Sequence, residues 1–590
     1  MSIAAPFLAL PIVLFHGASP RAHAGDDLAP GEVVEGEVGY QLDDYLTRLE
    51  GLGFSGVVGV EHEGQPVLVR GYGLADREHE RPVTPDTVFC TGSITKQFTA
   101  AAILALHEEG KLSVRDGLER FFPDVPEDKR AITLHHLLTH SSGLVDPRAG
   151  DYDLVATADW VLAQALHCQL EWPPGGGYAY RNVNFSLLGM VVERVSGGPY
   201  EAYLRKRLFE RAGMSSTGYL LPRFAPERMA IGYRDGERWG TTLSHPLLAD
   251  GPCWTLRANG GIQSTVGDML RWDRALRAHT VLSPESIAAL ETPHVPEGGG
   301  SYYGYGWSIQ EAPGGGKLVA HNGGNGVSFA DFLRFVDDGW TLFLATNVGS
   351  RTSQDLAYDL AGICFGRAPQ LPPETIDRDR AMLDGYAARY AVDGTSGFVV
   401  ENGGDRLTLR AEGSLAERAL QGEMPADIVE RSRAIATAAI GGDLEPFERA
   451  HGSTGAPAEA RAELADDLSK WAERLGTFRE LGGSTARPFP GRWRVAVEAR
   501  FERGSGYLVL GWSSGSLTGF YCADEPPFAG TAPVELFPLS KEEFRAYDGQ
   551  GSALGLSVRF TLDADGRASA LELGGAGVRA EREQRAAQRR

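Results

Sequence analysis

Residues 91–110 read TGSITKQFTAAAILALHEEG and predict a helix that begins beside Ser93. Apolar residues recur at helical spacing through this segment. Gly110 is typical of the residue that follows the last turn of a helix. The segment therefore predicts a helix with one apolar face and with a serine at its mouth.

Ser93 and Lys96 form a Ser-x-x-Lys pair at the start of this helix. The spacing puts both side chains on one helix face, so the amine can reach the hydroxyl. An amine with a lowered pKa can take the proton of a serine hydroxyl, and the N–H groups of a helix start stabilise negative charge on an attacked carbonyl oxygen. The pair predicts a nucleophilic serine, although the same pattern arises by chance about once in a chain of this length.

The segments on either side predict an α/β or α+β fold. Alternating Val-rich runs indicate a β-hairpin over residues 54–73, and a second hairpin is indicated over residues 327–347. Helices are predicted over residues 133–140 and 184–195. Because strands occur at both ends of a region whose middle is helical, we expect one antiparallel sheet built from the two ends, with helices packed around it.

Length and composition divide the chain further. A chain of 590 residues is too long for one compact core. We expect a first domain over residues 25–367 and a proline-rich linker over residues 368–380. Period-two alternation around Asn-Gly and Asp-Gly turns then predicts an antiparallel β domain over residues 381–590, with a helical insertion at about residues 426–475.

The N-terminal residues 1–24 are typical of a secretory signal peptide. An apolar run is followed by Ala22-His23-Ala24, a small-x-small cleavage site, although no Lys or Arg precedes the run and a buried N-terminal strand or helix is the alternative. No later stretch of about 20 apolar residues stands in the sequence, so no transmembrane anchor is expected in the mature chain. We expect an exported protein, periplasmic or extracellular.

Charge and cysteine content exclude several classes of partner. The net charge is −21, with 78 acidic and 57 basic residues, which repels phosphate backbones and makes nucleic acid an unsuitable partner. Five scattered cysteines without a CxxC pair indicate neither a zinc site nor a disulfide framework. His136 and His140 have a metal-ligand spacing, but no glutamate lies between them and no third ligand is visible, so we expect no metal and no cofactor.

Two further short motifs carry groups that suit acyl chemistry. Tyr180 and Asn182 stand before a predicted helix, where a phenol can move protons and an amide can bind a carbonyl. His321 precedes Gly323 and Gly324 in a stretch where glycine lets backbone N–H groups approach a substrate. Each motif has a structural alternative. Tyr180 and Asn182 could be a surface tyrosine and a helix-capping asparagine, and the stretch after His321 could be an ordinary turn before a strand.

The order Ser-x-x-Lys, Tyr-x-Asn, His-x-Gly resembles the three-motif active site of penicillin-recognising serine hydrolases. Flanking segments over residues 132–144, 173–197 and 259–276 are similar to those of the beta-lactamase-related family. That family includes class C enzymes, D-amino acid peptidases, carboxylesterases and D-alanyl-D-alanine carboxypeptidases. The resemblance covers residues 46–365 and implies a beta-lactamase/transpeptidase-like catalytic domain.

The resemblance also implies a set of roles. Ser93 would be acylated with Lys96 as base, Tyr180 would protonate the leaving group or activate water, and Asn182 would orient the acyl side. The oxyanion would lie between the N–H of Ser93 and one N–H from residues 321–324. The C-terminal β domain resembles the lipocalin-like appendages of D-aminopeptidase-type members.

Two departures from the family pattern bear on the substrate. Arg181 stands where small residues are usual, and His321 replaces the lysine of most penicillin-binding enzymes. Because a neutral imidazole anchors a carboxylate less firmly than an ammonium, D-amino acid-containing peptides or small carboxylic esters are favoured over β-lactams. The alternatives are a penicillin-binding or peptidoglycan-sensing protein that is acylated without turnover, and a beta-lactamase.

Overall fold

The computed structural model describes most of residues 28–583. The predicted signal peptide at residues 1–24 lies outside the described residues, as does the C-terminal tail after residue 583. The description leaves out residues 148–154, 235–236, 246, 299, 349–352, 370, 377–379, 404–405, 414, 417–418, 420–425, 452–457, 490–491, 514–515, 524–533, 548–552 and 575–577.

Runs of strands and runs of helices follow one another along the described chain. The strands are β1 (Val33–Val34), β2 (Gly56–His62), β3 (Gln65–Tyr72), β4 (Leu74–Asp76), β5 (Arg81–Pro82), β6 (Phe89–Cys90), β7 (Gly232–Arg234), β8 (Glu237–Gly240), β9 (Gln263–Ser264), β10 (Val295–Gly298), β11 (Ser301–Tyr303), β12 (Ser308–Glu311), β13 (Lys317–Gly324), β14 (Phe329–Phe335), β15 (Trp340–Thr346), β16 (Ala388–Ala391), β17 (Gly397–Asn402), β18 (Leu407–Glu412), β19 (Phe478–Phe489), β20 (Arg492–Phe501), β21 (Gly504–Ser513), β22 (Ser516–Ala523), β23 (Val534–Pro538), β24 (Glu543–Tyr547), β25 (Ala553–Leu562), β26 (Ala568–Gly574) and β27 (Val578–Arg582). The α-helices are α1 (Gly36–Gly51), α2 (Thr95–Glu108), α3 (Leu134–Leu138), α4 (Ala158–His167), α5 (Asn182–Ser196), α6 (Tyr200–Leu204), α7 (Glu210–Ala212), α8 (Val266–Arg277), α9 (Pro284–Leu290), α10 (Ser353–Cys364), α11 (Arg380–Asp384), α12 (Ala426–Ile440), α13 (Glu445–Ala450) and α14 (Ala458–Leu475).

A nine-stranded sheet forms the centre of the N-terminal part, in the order β1-β3-β2-β15-β14-β13-β12-β11-β10. Both predicted hairpins are present, as β2–β3 and β14–β15, and β2 pairs with β15 in antiparallel register from Gly56↔Thr346 to His62↔Trp340. The two ends of this region therefore meet in one sheet, which confirms the predicted fold class. α1 and α10 pack with the core on one face of the sheet, and α2 and α8 belong to the core on the other.

α2 lies in the centre of the larger core. The segment is rich in alanine, which favours helix and fits between close neighbours, and its residues from Thr95 to Leu106 are buried. Phe98 makes edge-to-face contacts with Phe209 and Trp272, at ring-centroid distances of 5.1 and 5.0 Å. The predicted helix start is confirmed, with a 3-10 turn over Gly92–Ile94 leading into α2. A helix held on all sides gives Ser93 and Lys96 a rigid base.

The C-terminal region contains a closed barrel of eight strands, in the order β16-β17-β18-β23-β24-β25-β26-β27, which fits the predicted antiparallel β domain. Aromatic rings fill its interior, since Tyr386 lies 5.0 Å from both Phe544 and Phe560 between ring centroids. Phe537 on β23 is fully buried in the core between α1 and the large sheet, beside Gly53. The barrel is thus anchored to the N-terminal part by an aromatic side chain.

The segment between β18 and β23 has its own core. α12, α13 and α14 pack on a four-stranded sheet in the order β19-β20-β21-β22, around the buried rings of Phe447, Trp471 and Trp512. The sequence predicted these helices as an insertion. It placed the residues of the four-stranded sheet in the antiparallel β domain, whereas in the structure they pack with the helices. The boundaries proposed from sequence for each domain stay a prediction. Among the described residues, no helix is both long enough and apolar enough to cross a membrane.

Candidate active site

Ser93 and Lys96 meet at the N-terminal end of α2. Lys96 Nζ donates a hydrogen bond to Ser93 Oγ at 3.0 Å. Lys96 is fully buried, while Ser93 keeps part of its surface open. The spacing of the Ser-x-x-Lys pair therefore produces the contact expected from it, with the hydroxyl facing outward and the amine beneath it.

Two further acceptors hold the lysine in place. Lys96 Nζ donates to Asn182 Oδ1 at 2.8 Å and to the carbonyl oxygen of Asn259 at 2.9 Å. An ammonium has three N–H donors, so three acceptors at this range suit its charged form. The Asn259 contact was missed by sequence reasoning, because a backbone carbonyl leaves no signature in the side-chain pattern. Asn259 is itself held by a hydrogen bond from its Nδ2 to Ser186 Oγ at 3.0 Å.

Tyr180 and Asn182 enter the site from the start of α5. The helix begins at Asn182, two residues earlier than predicted. The reason is a cap supplied from elsewhere, since Asp146 accepts a hydrogen bond from the N–H of Val183 at 2.7 Å. Because Asn182 Oδ1 accepts from Lys96, the amide NH₂ of Asn182 remains as a donor.

The Tyr180 phenol lies against both members of the Ser-Lys pair. Lys96 Nζ lies 4.7 Å from the centroid of its ring, a cation–π distance. Although Tyr180 is 36% exposed, the atoms packed around its hydroxyl desolvate it and raise its pKa, and a hydrogen bond with Ser93 opposes that rise. The phenol is therefore neutral near pH 7 in the resting protein, which makes it a proton donor or shuttle before it is a base.

β13 forms the opposite wall of the site through its two glycines. A Cβ added at Gly323 would lie 2.1 Å from the carbonyl oxygen of Thr91 and 2.5 Å from the nitrogen of Ser93. A Cβ added at Gly92, whose φ is +51°, would lie 2.6 Å from the nitrogen of Gly324. Only glycine permits this approach, so the backbone of residues 323–324 reaches the turn that carries the nucleophile.

His321 is brought to the same site but is neutral and already hydrogen-bonded. Its Nδ1 lies 2.6 Å from the carbonyl oxygen of Asn322, which makes Nδ1 the protonated nitrogen, and its Nε2 accepts from Tyr303 Oη at 3.0 Å. Burial, reinforced by the charge of Lys96, lowers the pKa of His321 to about 3. The imidazole consequently carries no charge with which to attract a carboxylate.

His140 is a further site residue that the sequence did not single out for this role. α3 ends at Leu138, and His140 follows in a left-handed conformation with φ of +56°, so His136 and His140 do not share a helix face. Its Nδ1 accepts from the N–H of Arg181 at 3.2 Å, and its ring lies 4.4 Å from that of Tyr180. Among the described residues, no group of three or more His, Cys, Asp or Glu could hold a metal ion.

A cavity of about 350 Å³ adjoins the site at the β10–β13 edge of the large sheet. Tyr180, Tyr303 and His321 form part of its wall, so it borders the phenol and the imidazole of the site, whereas Ser93 and Lys96 are not among its lining residues. Its other lining residues are Glu297, Gly298, Ser301, Ser308, Gln310, Ala320, Asn322, Asp331, Leu333 and Tyr358. Arg181, one of the two departures from the family pattern, is paired with Glu171 and is not part of this lining.

The chain is similar to known proteins over the part that carries this site. A family model described as Beta-lactamase matches residues 43–361, which is more than half of the chain. Penicillin-binding protein 4* of Bacillus subtilis (strain 168) is 28% identical over 394 residues, covering 61% of this chain and 85% of that protein. Esterase EstB of Burkholderia gladioli is 29% identical over 286 residues, covering 42% of this chain and 72% of that protein.

The fold is also found in solved structures. The octameric penicillin-binding protein homologue from Pyrococcus abyssi aligns with 87% of this chain and 98% of its own, at a TM-score of 0.51 and 23% sequence identity. At this identity the likeness concerns the fold, which extends beyond the large sheet.

Proposed function

Because this chain belongs to the beta-lactamase family, whose members are serine hydrolases, we propose that it cleaves an amide or ester bond through an acyl-enzyme on Ser93. The substrate class we propose is a D-amino acid-containing peptide or amide, or a small carboxylic ester. An esterase and a penicillin-binding protein among the relatives support acyl transfer as the common chemistry.

The observation that carries the proposal is the 3.0 Å hydrogen bond between Lys96 Nζ and Ser93 Oγ at the mouth of α2. A nucleophile and its base must lie within hydrogen-bond reach, and the base must be oriented by a third group. Asn182 and the Asn259 carbonyl provide that orientation.

The proposed reaction has two halves. The neutral form of Lys96, reached when the ammonium releases a proton to solvent, accepts the Ser93 proton while Oγ bonds to the acyl carbon, and the oxyanion lies between the Ser93 N–H and an N–H of residues 323–324. The bond to the leaving group then breaks as Tyr180 Oη donates a proton to the departing nitrogen or oxygen. In the second half, water gives a proton to the Tyr180 phenolate of the Lys96–Tyr180 pair as its oxygen bonds to the acyl carbon. The bond between the acyl carbon and Ser93 Oγ then breaks, the protonated Lys96 returns a proton to Oγ, and the carboxylic acid product leaves.

The neutral, already hydrogen-bonded imidazole of His321 supports open-chain amides and esters as substrates over β-lactams. Penicillins carry a carboxylate, which most penicillin-binding enzymes meet with a lysine at this position, as the family pattern implies. Here the group is a buried imidazole whose pKa is lowered to about 3, and both of its nitrogens already have partners. Such a residue offers neither a charge nor a free donor to a carboxylate.

A fluorophosphonate probe tests the proposed function. The wild-type chain should be labelled at Ser93 and should turn over a short-chain aryl ester, whereas Ser93→Ala should do neither. Ser540→Ala, on an exposed turn between β23 and β24, is the matched control and should behave as wild type. Labelling without turnover of any ester, D-amino acid amide or cephalosporin would instead identify a sensor that is acylated once, and equal labelling of Ser93→Ala would refute the assignment.

We further propose that the chain is exported and that residues 1–24 are removed. The apolar run and the Ala22-His23-Ala24 motif support cleavage at this point. N-terminal sequencing of protein recovered from the culture medium or periplasm should begin at Gly25, and recovery of the chain only from the cytoplasm with Met1 retained would refute the proposal.

A further inference from the structure

Glu297 places a carboxylate in the cavity beside the site. Its Oε2 accepts from Tyr178 Oη at 3.0 Å, and its Oε1 accepts from Ser301 Oγ at 2.5 Å and also from Ser308 Oγ. Three hydroxyl groups thus hold the carboxylate in a defined position on the edge strands. A carboxylate has about four acceptor positions, so one remains for a ligand.

The negative charge of Glu297 acts on the tyrosines of the site itself. Burial is the largest cause of the raised pKa of Tyr178, Tyr180 and Tyr303, and the charge of Glu297 adds to the rise in each of them. A charge that disfavours a phenolate at Tyr180 and Tyr303 on the cavity wall, and at Tyr178, which is not among the lining residues, favours a cation placed near Glu297.

The remaining lining provides no compensating cation. Asp331 is a second carboxyl-bearing side chain in the wall, and none of the described lining residues is Lys or Arg. His321 is neutral, and Lys96 is buried beneath Ser93 rather than in the cavity wall. Tyr180, Tyr303 and Tyr358 add aromatic rings, whose faces attract cations.

We propose that this cavity receives a substrate ammonium group, with Glu297 as its counter-ion, so that the preferred substrates are amides or esters that carry a free amine. The inference rests on the proposed acyl-enzyme function and narrows its substrate class. Within the two classes proposed above, it favours an amino acid amide, peptide or ester with an unblocked amino terminus. A substrate with a carboxylate at this position would be repelled by Glu297.

Binding to Ser93→Ala tests the inference without any turnover. The probes are D-phenylalaninamide and its N-acetyl derivative, measured by isothermal titration calorimetry at pH 6.5, below the usual α-amino pKa of about 7.7–8.0. The free amine should bind about tenfold or more tightly than the acetylated probe, because a hydrogen bond to a charged group contributes a binding free energy that corresponds to at least about a tenfold change in Kd. In Ser93→Ala/Glu297→Gln the ratio should fall to about one.

Glu311→Gln is the matched control, because Glu311 is an exposed carboxylate on β12, two strands from the edge strand β10 that carries Glu297, and is not among the cavity-lining residues. In the Ser93→Ala background it should keep the wild-type ratio. Should the Glu297→Gln protein fail to fold, Glu297→Asp is the second variant, and it should bind the free amine less tightly than the parent while still preferring it to the acetylated probe.

The outcomes separate the inference from the proposed function. Equal binding of the two probes, or a ratio that survives Glu297→Gln, would overturn the ammonium site whatever the enzyme hydrolyses. If the ratio behaves as expected while the wild-type chain hydrolyses no ester or amide, the ammonium site stands and the proposed function fails.

Discussion

Replacing Lys96 tests the base directly, and two substitutions separate its chemistry from its packing. Lys96→Ala removes the amine but leaves a polar space edged by Ser93 Oγ, Asn182 Oδ1 and the Asn259 carbonyl oxygen. Such a space, with three acceptors, suits a water molecule. We therefore expect the fold to remain intact while kcat falls by about 10²–10⁴, the usual contribution of a positioned general base.

Lys96→Met fills the same space with an apolar side chain and so excludes that water. The Asn259 carbonyl is buried and would lose its partner, at a cost of about 1–3 kcal/mol in the free energy of unfolding, whereas Asn182 is only partly buried and can still reach solvent. The methionine variant should therefore be as inactive as the alanine variant but less stable by about that amount.

Aryl ester turnover gives kcat and kcat/KM for both variants, and urea unfolding gives their stability. A Lys96→Ala enzyme within about tenfold of wild type would show that another group accepts the serine proton. Equal stability of the two variants would show that the Asn259 contact with Lys96 contributes little to the fold.

Four other changes have defined outcomes. Tyr180→Phe should lower kcat for an anilide by about 10²-fold and for an activated aryl ester much less, because only the poor leaving group needs the proton; equal losses would contradict this role. Gly323→Ala should abolish probe labelling and lower Tm, since its Cβ would lie 2.1 Å from the Thr91 carbonyl oxygen. Because the His321 pKa is lowered to about 3 from 6.5, the unfolded state binds the extra proton between these values and stability falls as the pH drops through them; His321→Gln should show a shallower fall in acid unfolding curves. Phe537→Ala should cost about 3–5 kcal/mol in the unfolding of the N-terminal part, measured by urea titration, and a change under 1 kcal/mol would show that the barrel is not anchored through this ring.

The sequence was sufficient for the features that depend on neighbouring residues. Period-two runs around glycine turns located the hairpins, because a turn and its flanking strands are encoded within some twenty residues. The Ser93–Lys96 contact was predictable for the same reason, since helical spacing alone puts the two side chains together. The motif order then identified Tyr180, Asn182 and His321, and the structure brings Tyr180 to Ser93, Asn182 to Lys96 and the His321 ring to that of Tyr180.

Only the tertiary structure decided the electrostatics of the site. The Asn259 carbonyl, the Tyr303 hydroxyl and Glu297 come from segments far from Ser93 in the chain, and no local pattern marks them. Asp146, which lies in a loop, caps α5, and this helix begins two residues earlier than the sequence predicted. Charge, burial and hydrogen-bond partners depend on what the folded chain packs around a group, so the sequence determined which chemical groups are present, and packing determined their protonation and the charge of the cavity they face.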